Sequence, residues 1–274
     1  MQPKSDPKAN RQIIFMLLAT LAMIAVSWRS CWYGAPMSDS AIEDGLKGDD
    51  GEQEIQRALS NVVKRIEEGA DGYNAFYPAV LALETHDTIQ IRATAAWTMG
   101  AAKGHQPFTE ALLRMIADKE ELVRQNAALA LAGHNREEGR TIILGMLLPS
   151  VARAPHEGEV VQLVRKDEPM RAGMRVARVR SSDGTESDIT SPIDGTVKRT
   201  DVGLEDTVTA QASLVVIQPS GAQYFQALRA LMKVGKPTDL EAINQFLDRA
   251  GRLSEEVQLQ AEALKKRLEA QITR

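Results

Sequence analysis

APHEGEVVQLVRKDEPMRAGMRVARV (154–179) and SPIDGTVKRTDVGLEDTVTAQASLVVI (191–217) are two versions of one pattern. Pro155 and Pro192, Gly158 and Gly195, and Val160 and Val197 stand 37 residues apart. After an offset of one, Met170, Val176 and Val179 answer to Val208, Leu214 and Ile217 at a spacing of 38. A unit that occurs twice in tandem predicts a quasi-symmetric module, and a repeat of this kind governs the rest of the fold. Within it, β-rich runs at 159–164, 175–180, 186–189, 195–200 and 214–217 alternate with segments rich in Gly, Pro and Asp. Strands this short predict a small barrel or sandwich. Asp183-Gly184 predicts a two-residue hairpin turn between the second and third runs.

On both sides the period changes from two to 3.6. Ile55, Leu59, Val62, Val63 and Ile66 form one apolar stripe that Gly69 ends. YNAFYPAVLALE (73–84) follows as a second helix. The segments beginning at Ile91 and Val123 then resemble each other at a 32-residue step. Each has a β-branched residue followed by Arg, an Ala-rich helix, a short polar loop and a Leu/Ile-rich helix. Ala95, Ala96, Ala127, Ala128 and Ala130 allow close approach, so successive hairpins are expected to stack over a shared core. The layout returns at 222–251, where Leu228 is matched to Leu129, and a last helix is expected over 255–271. Inserted segments fall in solenoid loops, so the β module reads as an insertion between helical repeats.

The helical segments resemble HEAT repeats of the short bacterial type, on the Ile-Arg and Val-Arg helix openings and the turn at 118–123 that precedes the second. The middle segment resembles the biotinyl/lipoyl-like domain, a barrel-sandwich hybrid of two intertwined sheets. The matching features are the Pro-x-x-Gly-x-Val openings, the turn-and-strand runs 166–179 and 203–217, and Ala210-Gln211 where that family often has Ala-Gly. In carrier members a lysine at the central hairpin tip holds biotin or lipoate. Here the tip falls on SSDGTE (181–186), and the nearest lysines, Lys166 and Lys198, lie elsewhere. The resemblance therefore implies a module without cofactor. The same hybrid without lysine is similar to that of membrane fusion (periplasmic adaptor) proteins, but those interrupt the hairpin with a long coiled coil where this chain has a tight turn.

At the N-terminus, Lys4, Lys8 and Arg11 precede the apolar run 13–26. Ile13, Phe15, Leu17, Leu18, Leu21 and Ile24 would face lipid, and Trp28 and Trp32 would anchor the helix at the interface. Fourteen residues also suit the core of a signal peptide. A retained anchor is favoured, because cleavage after Ser27 would put Trp28 first. The charge bias places the N-terminus inside a bacterial inner membrane and the bulk of the chain in the periplasm or outside.

The expected class is multidomain α and β: an N-terminal transmembrane helix and a solenoid of HEAT-like hairpins with the β hybrid inserted. The boundaries read 1–11 cytoplasmic, 12–33 anchor, 34–51 acidic flexible linker, 52–149 helical repeats, 150–219 β domain and 220–274 helical repeats.

A net charge of −4 and a pI near 5.7 argue against nucleic acid as partner. Cys31 alone excludes a disulfide framework and a cysteine-based zinc site. His86, His105, His134 and His156 form no ligand pair, and no phosphate loop or nucleophile elbow is present. Asp183 and Glu186 read as a solvated turn, not a catalytic pair. No catalytic residue, metal, cofactor or small-molecule substrate is expected. The aromatics Tyr73, Phe76, Tyr77, Tyr224 and Phe225, with Trp97, are candidates for partner contact, although aromatics at helical spacing more often fill interiors. The chain reads as a membrane-anchored, non-enzymatic scaffold or accessory subunit. The alternatives are a periplasmic adaptor of an efflux or secretion system and a carrier-domain subunit.

Overall fold

In the computed structural model, residues 36–49, 51–249 and 253–272 are described, and they hold ten α-helices and two antiparallel four-stranded sheets. No helix among the described residues is long and apolar enough to cross a membrane. The fold class is corrected accordingly: it has no transmembrane element there. The run 13–26, including Ile13 to Ile24, and the flanking Trp28 and Trp32 lie outside the described residues.

Two compact units divide the chain, Met1–Asn61 and Val62–Arg274. In the first, α1 (Asp39–Lys47) occupies the stretch expected to be a flexible linker. The Ser38 hydroxyl accepts from the Ala41 N–H at 3.3 Å, and the helix ends at Gly48 with φ 84°. This is the standard pairing of an N-cap donor partner with a left-handed stop. Ile42 and Leu46, one turn apart, are buried. Gly45 lies so close to α2 (Glu52–Glu68) that an added Cβ would sit 3.0 Å from the Ala58 Cβ. Apolar spacing and caps outweigh the Gly/Asp composition that suggested a tether.

In the second unit α2 ends, and a 3₁₀ turn (Tyr73–Phe76), α3 (Tyr77–Ala82) and a second 3₁₀ turn (Leu83–Thr85) follow. Then come α4 (Ile89–Ala101), α5 (Gln106–Met115), α6 (Glu121–Gly133) and α7 (Arg140–Gly145). After the strands, α8 (Gly221–Val234), α9 (Leu240–Arg249) and α10 (Glu255–Ile272) complete the chain. α4 packs on α6, α6 on α8 and α8 on α10, so the first helices of successive hairpins stand in a row.

The Ile-Arg and Val-Arg openings explain that row. Ile91 and Val123 are fully buried at the start of α4 and α6. Arg92 Nη1 donates to the His86 and Asp87 carbonyls at 2.7 and 2.9 Å. Arg124 Nη1 donates in the same way to the Asp118 and Lys119 carbonyls, both at 2.8 Å. Each arginine thus satisfies the carbonyls of the turn that leads into its own helix. Past the strands, Leu228, Leu231, Ile243, Phe246 and Leu264 join Ala128 and Ile143 in one core. Each fully buried Leu or Ile contributes roughly 1.5–3 kcal/mol.

The strands are β1 (Ser150–Arg153), β2 (Gly158–Leu163), β3 (Pro169–Met170), β4 (Arg175–Arg180), β5 (Glu186–Thr190), β6 (Gly195–Thr200), β7 (Thr207–Val208) and β8 (Ser213–Pro219). They form sheets ordered β1-β8-β6-β3 and β5-β4-β2-β7 around their own core of Val160, Val179, Val197, Leu214 and Ile217, among others. The halves exchange their short strands: β3 pairs with β6, and β7 with β2. Met170 faces Gly195 as Val208 faces Gly158. Bulges fall between Val160 and Gln162 and between Val197 and Arg199. The Asp167 N–H donates to the Val197 carbonyl and the Glu205 N–H to that of Val160, both at 2.8 Å. The spacings of 37 and 38 are therefore the offsets of an internal two-fold relation. The expected two-residue turn is wider than that. Gly184 N–H donates to Ser181 O, Ser181 N–H to Thr185 O, and Gly184 takes φ 87°, a turn followed by a bulge.

Candidate functional site

The row α4, α6 and α8, with the end of α2, encloses a groove of about 320 Å³. Small residues make its floor. A Cβ on Gly100 would meet the Ala130 Cβ at 2.8 Å, so α4 and α6 touch almost backbone to backbone. Ala101, Gly133 and Ala230 continue that floor. The lining residues recur at equivalent positions on successive helices. Asn126, Leu129 and Ala130 of α6 correspond to Gln226, Arg229 and Ala230 of α8, each pair 100 residues apart. The same register places Trp97 of α4 in line with Leu129. It also corrects the sequence alignment by one residue: Leu129 corresponds to Arg229, whereas Leu228 is fully buried.

Trp97 is the chief feature of the lining. It is 50% exposed, while most aromatic rings of the helical part are buried. Leaving half of an indole in water forgoes about 1 kcal/mol of the burial a core position would supply. Arg229 and Lys233 project from one face of α8, four residues apart and exposed. Among the described residues neither has an acidic partner within ion-pair distance. Glu67 on α2 is the single acid of the lining. The lining contains no histidine, cysteine, serine or threonine, so its chemistry is contact and charge, with no nucleophile.

His134 lies just beyond the floor, after Gly133. Its Nδ1 is 3.1 Å from the Thr109 hydroxyl, and its Nε2 is enclosed without a hydrogen-bond partner. Burial holds its pKa below the usual histidine value, which the nearby Met99 and Gly100 carbonyls oppose.

The aromatics expected at a partner surface are mostly inside. Phe76, Tyr77 and Tyr224 are buried. Tyr77 stacks at a tilt on Tyr73 at 5.9 Å and on His105 and Phe108 at 4.6 Å. Burial, reinforced by Tyr73, pushes its phenol up to about 12. Tyr224 meets Phe246 edge-on at 4.9 Å, and Phe225 packs half-buried against the same core. The helical spacing of Phe76, Tyr77 and Tyr224 thus reflects core packing, while Tyr73 and Phe225 are half-buried. Trp97, on the groove face, was named with them in the sequence but could not be separated from them without the register of the helices.

The hairpin tip also lacks a chemical pair. The Ser181 hydroxyl and the Thr185 N–H both donate to Asp183 Oδ1, at 2.5 and 2.9 Å, and hold its carboxyl at about 2. Glu186 instead accepts from Arg180 and Arg178, which hold it below the ordinary glutamate value. His156 is spoken for by Ser187, 2.9 Å away. Among the described residues no cluster of three or more His, Cys, Asp or Glu could hold a metal ion. No protein-family model matches the sequence, and no curated protein does so.

Proposed function

We propose that the chain is a non-enzymatic scaffold or accessory subunit that binds a partner protein along the groove of α4, α6 and α8. The half-exposed Trp97, set over a floor of small residues, carries this reading. Exposed aromatics in a concavity supply large contact area at low entropic cost, and Trp and Arg dominate binding energy at protein interfaces. The β module serves in this reading as a rigid recognition element without cofactor, since its hairpin tip holds no lysine. Residence at a bacterial membrane, with the bulk of the chain outside, belongs to the same proposal and rests on the basic residues and apolar run of the sequence.

Photo-crosslinking in cells tests the binding role. A photoreactive residue at Trp97 should give a discrete adduct with another protein, and one at Leu259, exposed on α10, should give none. Equal labelling from both positions would reject the groove as the working surface. The intact mass of the purified chain should equal that of the unmodified polypeptide; an added biotinyl or lipoyl mass would restore the carrier reading. Release of the chain from membranes by alkaline carbonate would reject integral residence there.

A further inference from the structure

The groove's shape and charge narrow what it takes. We infer that its occupant is an extended segment of a partner protein in which an apolar side chain is followed, about three residues later, by a carboxylate. The inference rests on the groove being the binding surface proposed above.

The extended form follows from direction. The groove crosses α4, α6 and α8 instead of running along one of them. An extended chain laid across such a row meets one helix after another.

The apolar side chain belongs over Trp97 and Leu129, where an exposed indole and a half-buried leucine flank the small floor of Gly100 and Ala130. The carboxylate belongs over Arg229 and Lys233, whose charges have no acid within ion-pair distance among the described residues. Adjacent helices lie ~8–10 Å apart and an extended chain advances ~3.3 Å per residue, so the step from Leu129 to Arg229 spans about three residues. Glu67 sets the direction. It lines the α2 side of the groove and would repel an acid placed there, so the acidic end must lie toward α8.

Two libraries of fluorescein-labelled octapeptides test this, each with a fixed leucine three positions before a fixed residue, aspartate in one and lysine in the other. The full-length chain should retain the aspartate library about tenfold better at low salt, as expected for an acid beside two exposed cations. Arg229→Glu with Lys233→Glu should invert the preference, and Trp97→Ala should abolish retention of both libraries. The replaced side chains are exposed, and an unchanged thermal midpoint checks the fold. Arg229→Gln with Lys233→Gln, expected to erase the preference, serves if the reversal does not fold. Equal retention of the two libraries that Trp97→Ala abolishes would overturn the carboxylate and leave the groove as a binding surface. Retention that Trp97→Ala does not change, or no retention, would overturn both. Displacement of the peptides by phosphatidylglycerol vesicles through Arg229 and Lys233 would assign the cations to lipid and overturn the inference.

Discussion

Arg92 and Arg124 occupy the same place in two hairpins, yet their surroundings differ in one respect. Arg92 also grips Asp118 at two points, Nε to Oδ2 at 2.8 Å and Nη2 to Oδ1 at 3.1 Å, and the pair is almost enclosed, with 7% and 14% of the side chains exposed. Removing one partner of a buried pair strands the other charge. Arg92→Ala should therefore cost about 3–5 kcal/mol, while Arg124→Ala, which loses hydrogen bonds to carbonyls, should cost about 1–2 kcal/mol; urea unfolding compares them. Burial works against the charge on Asp118, but the hydrogen bonds from Arg92 and the Glu120 N–H outweigh it, and the carboxyl titrates below the ordinary aspartate value. Its folded pKa thus lies under its unfolded one. The stability it adds is complete above an unfolded pKa of about 3.9 and is lost as the pH falls through the folded value. The stability gap between wild type and Asp118→Asn should be constant from pH 8 to pH 5 and should close below about pH 4. A gap that persists unchanged at pH 3 would remove Asp118 from this account.

At the scale of elements, the repeat in the β module makes paired substitutions comparable. A Cβ at Gly158 would lie 2.3 Å from the Arg180 carbonyl oxygen, and one at Gly195 would lie 2.1 Å from that of Gln218. Both strands must move to admit it, so Gly158→Ala and Gly195→Ala should each cost about 2–3 kcal/mol in thermal or urea unfolding. The opposite outcome is expected at Gln211. It takes φ 65° where its counterpart Gly173 takes 84°, and a side chain in that region costs about 1–2 kcal/mol. Allowing for the freer unfolded chain of glycine, Gln211→Gly should raise stability by about 0.5–1 kcal/mol. The sequence made this module readable because strand period and turn glycines recur at fixed spacing, and β4 and β6 start and end where alternation placed them. It could not show β3 and β7, whose two residues each are too few to carry a period. Helix α1 was hidden for a related reason: Ile42 and Leu46 are a single repeat inside an acidic, glycine-rich stretch. The groove was harder still. Trp97, Leu129 and Arg229 have unlike side chains, and the Leu228 alignment shows how one residue of slip conceals a groove.

At the scale of the whole chain, the β module interrupts a helical core without belonging to it. Ala128, Ala132, Ile143 and Met146 precede the strands and share one buried cluster with Leu228, Leu231 and Phe246, which follow them. The module has a separate core. Its entry and exit are close, because Ser150 pairs with Ile217 two residues before β8 ends. Side-chain hydrogen bonds that cross between the two parts include Ser150 Oγ to Glu121 Oε2 at 2.8 Å and the bond between Gln218 and Tyr224. Closing so narrow a gap with a short linker costs little entropy. Replacing residues 151–218 by two glycines should therefore leave the helices folded. The far-UV signal should keep its helical form, and the thermal midpoint should fall by about 5 °C, the equivalent of one or two lost hydrogen bonds in a chain of this size. The adduct formed through position 97 should survive, since none of the groove-lining residues lies in the strands. Loss of cooperative unfolding would mean that α6 and α8 depend on the module to meet. Loss of the adduct from a chain that still folds would move partner recognition from the groove to the β surface.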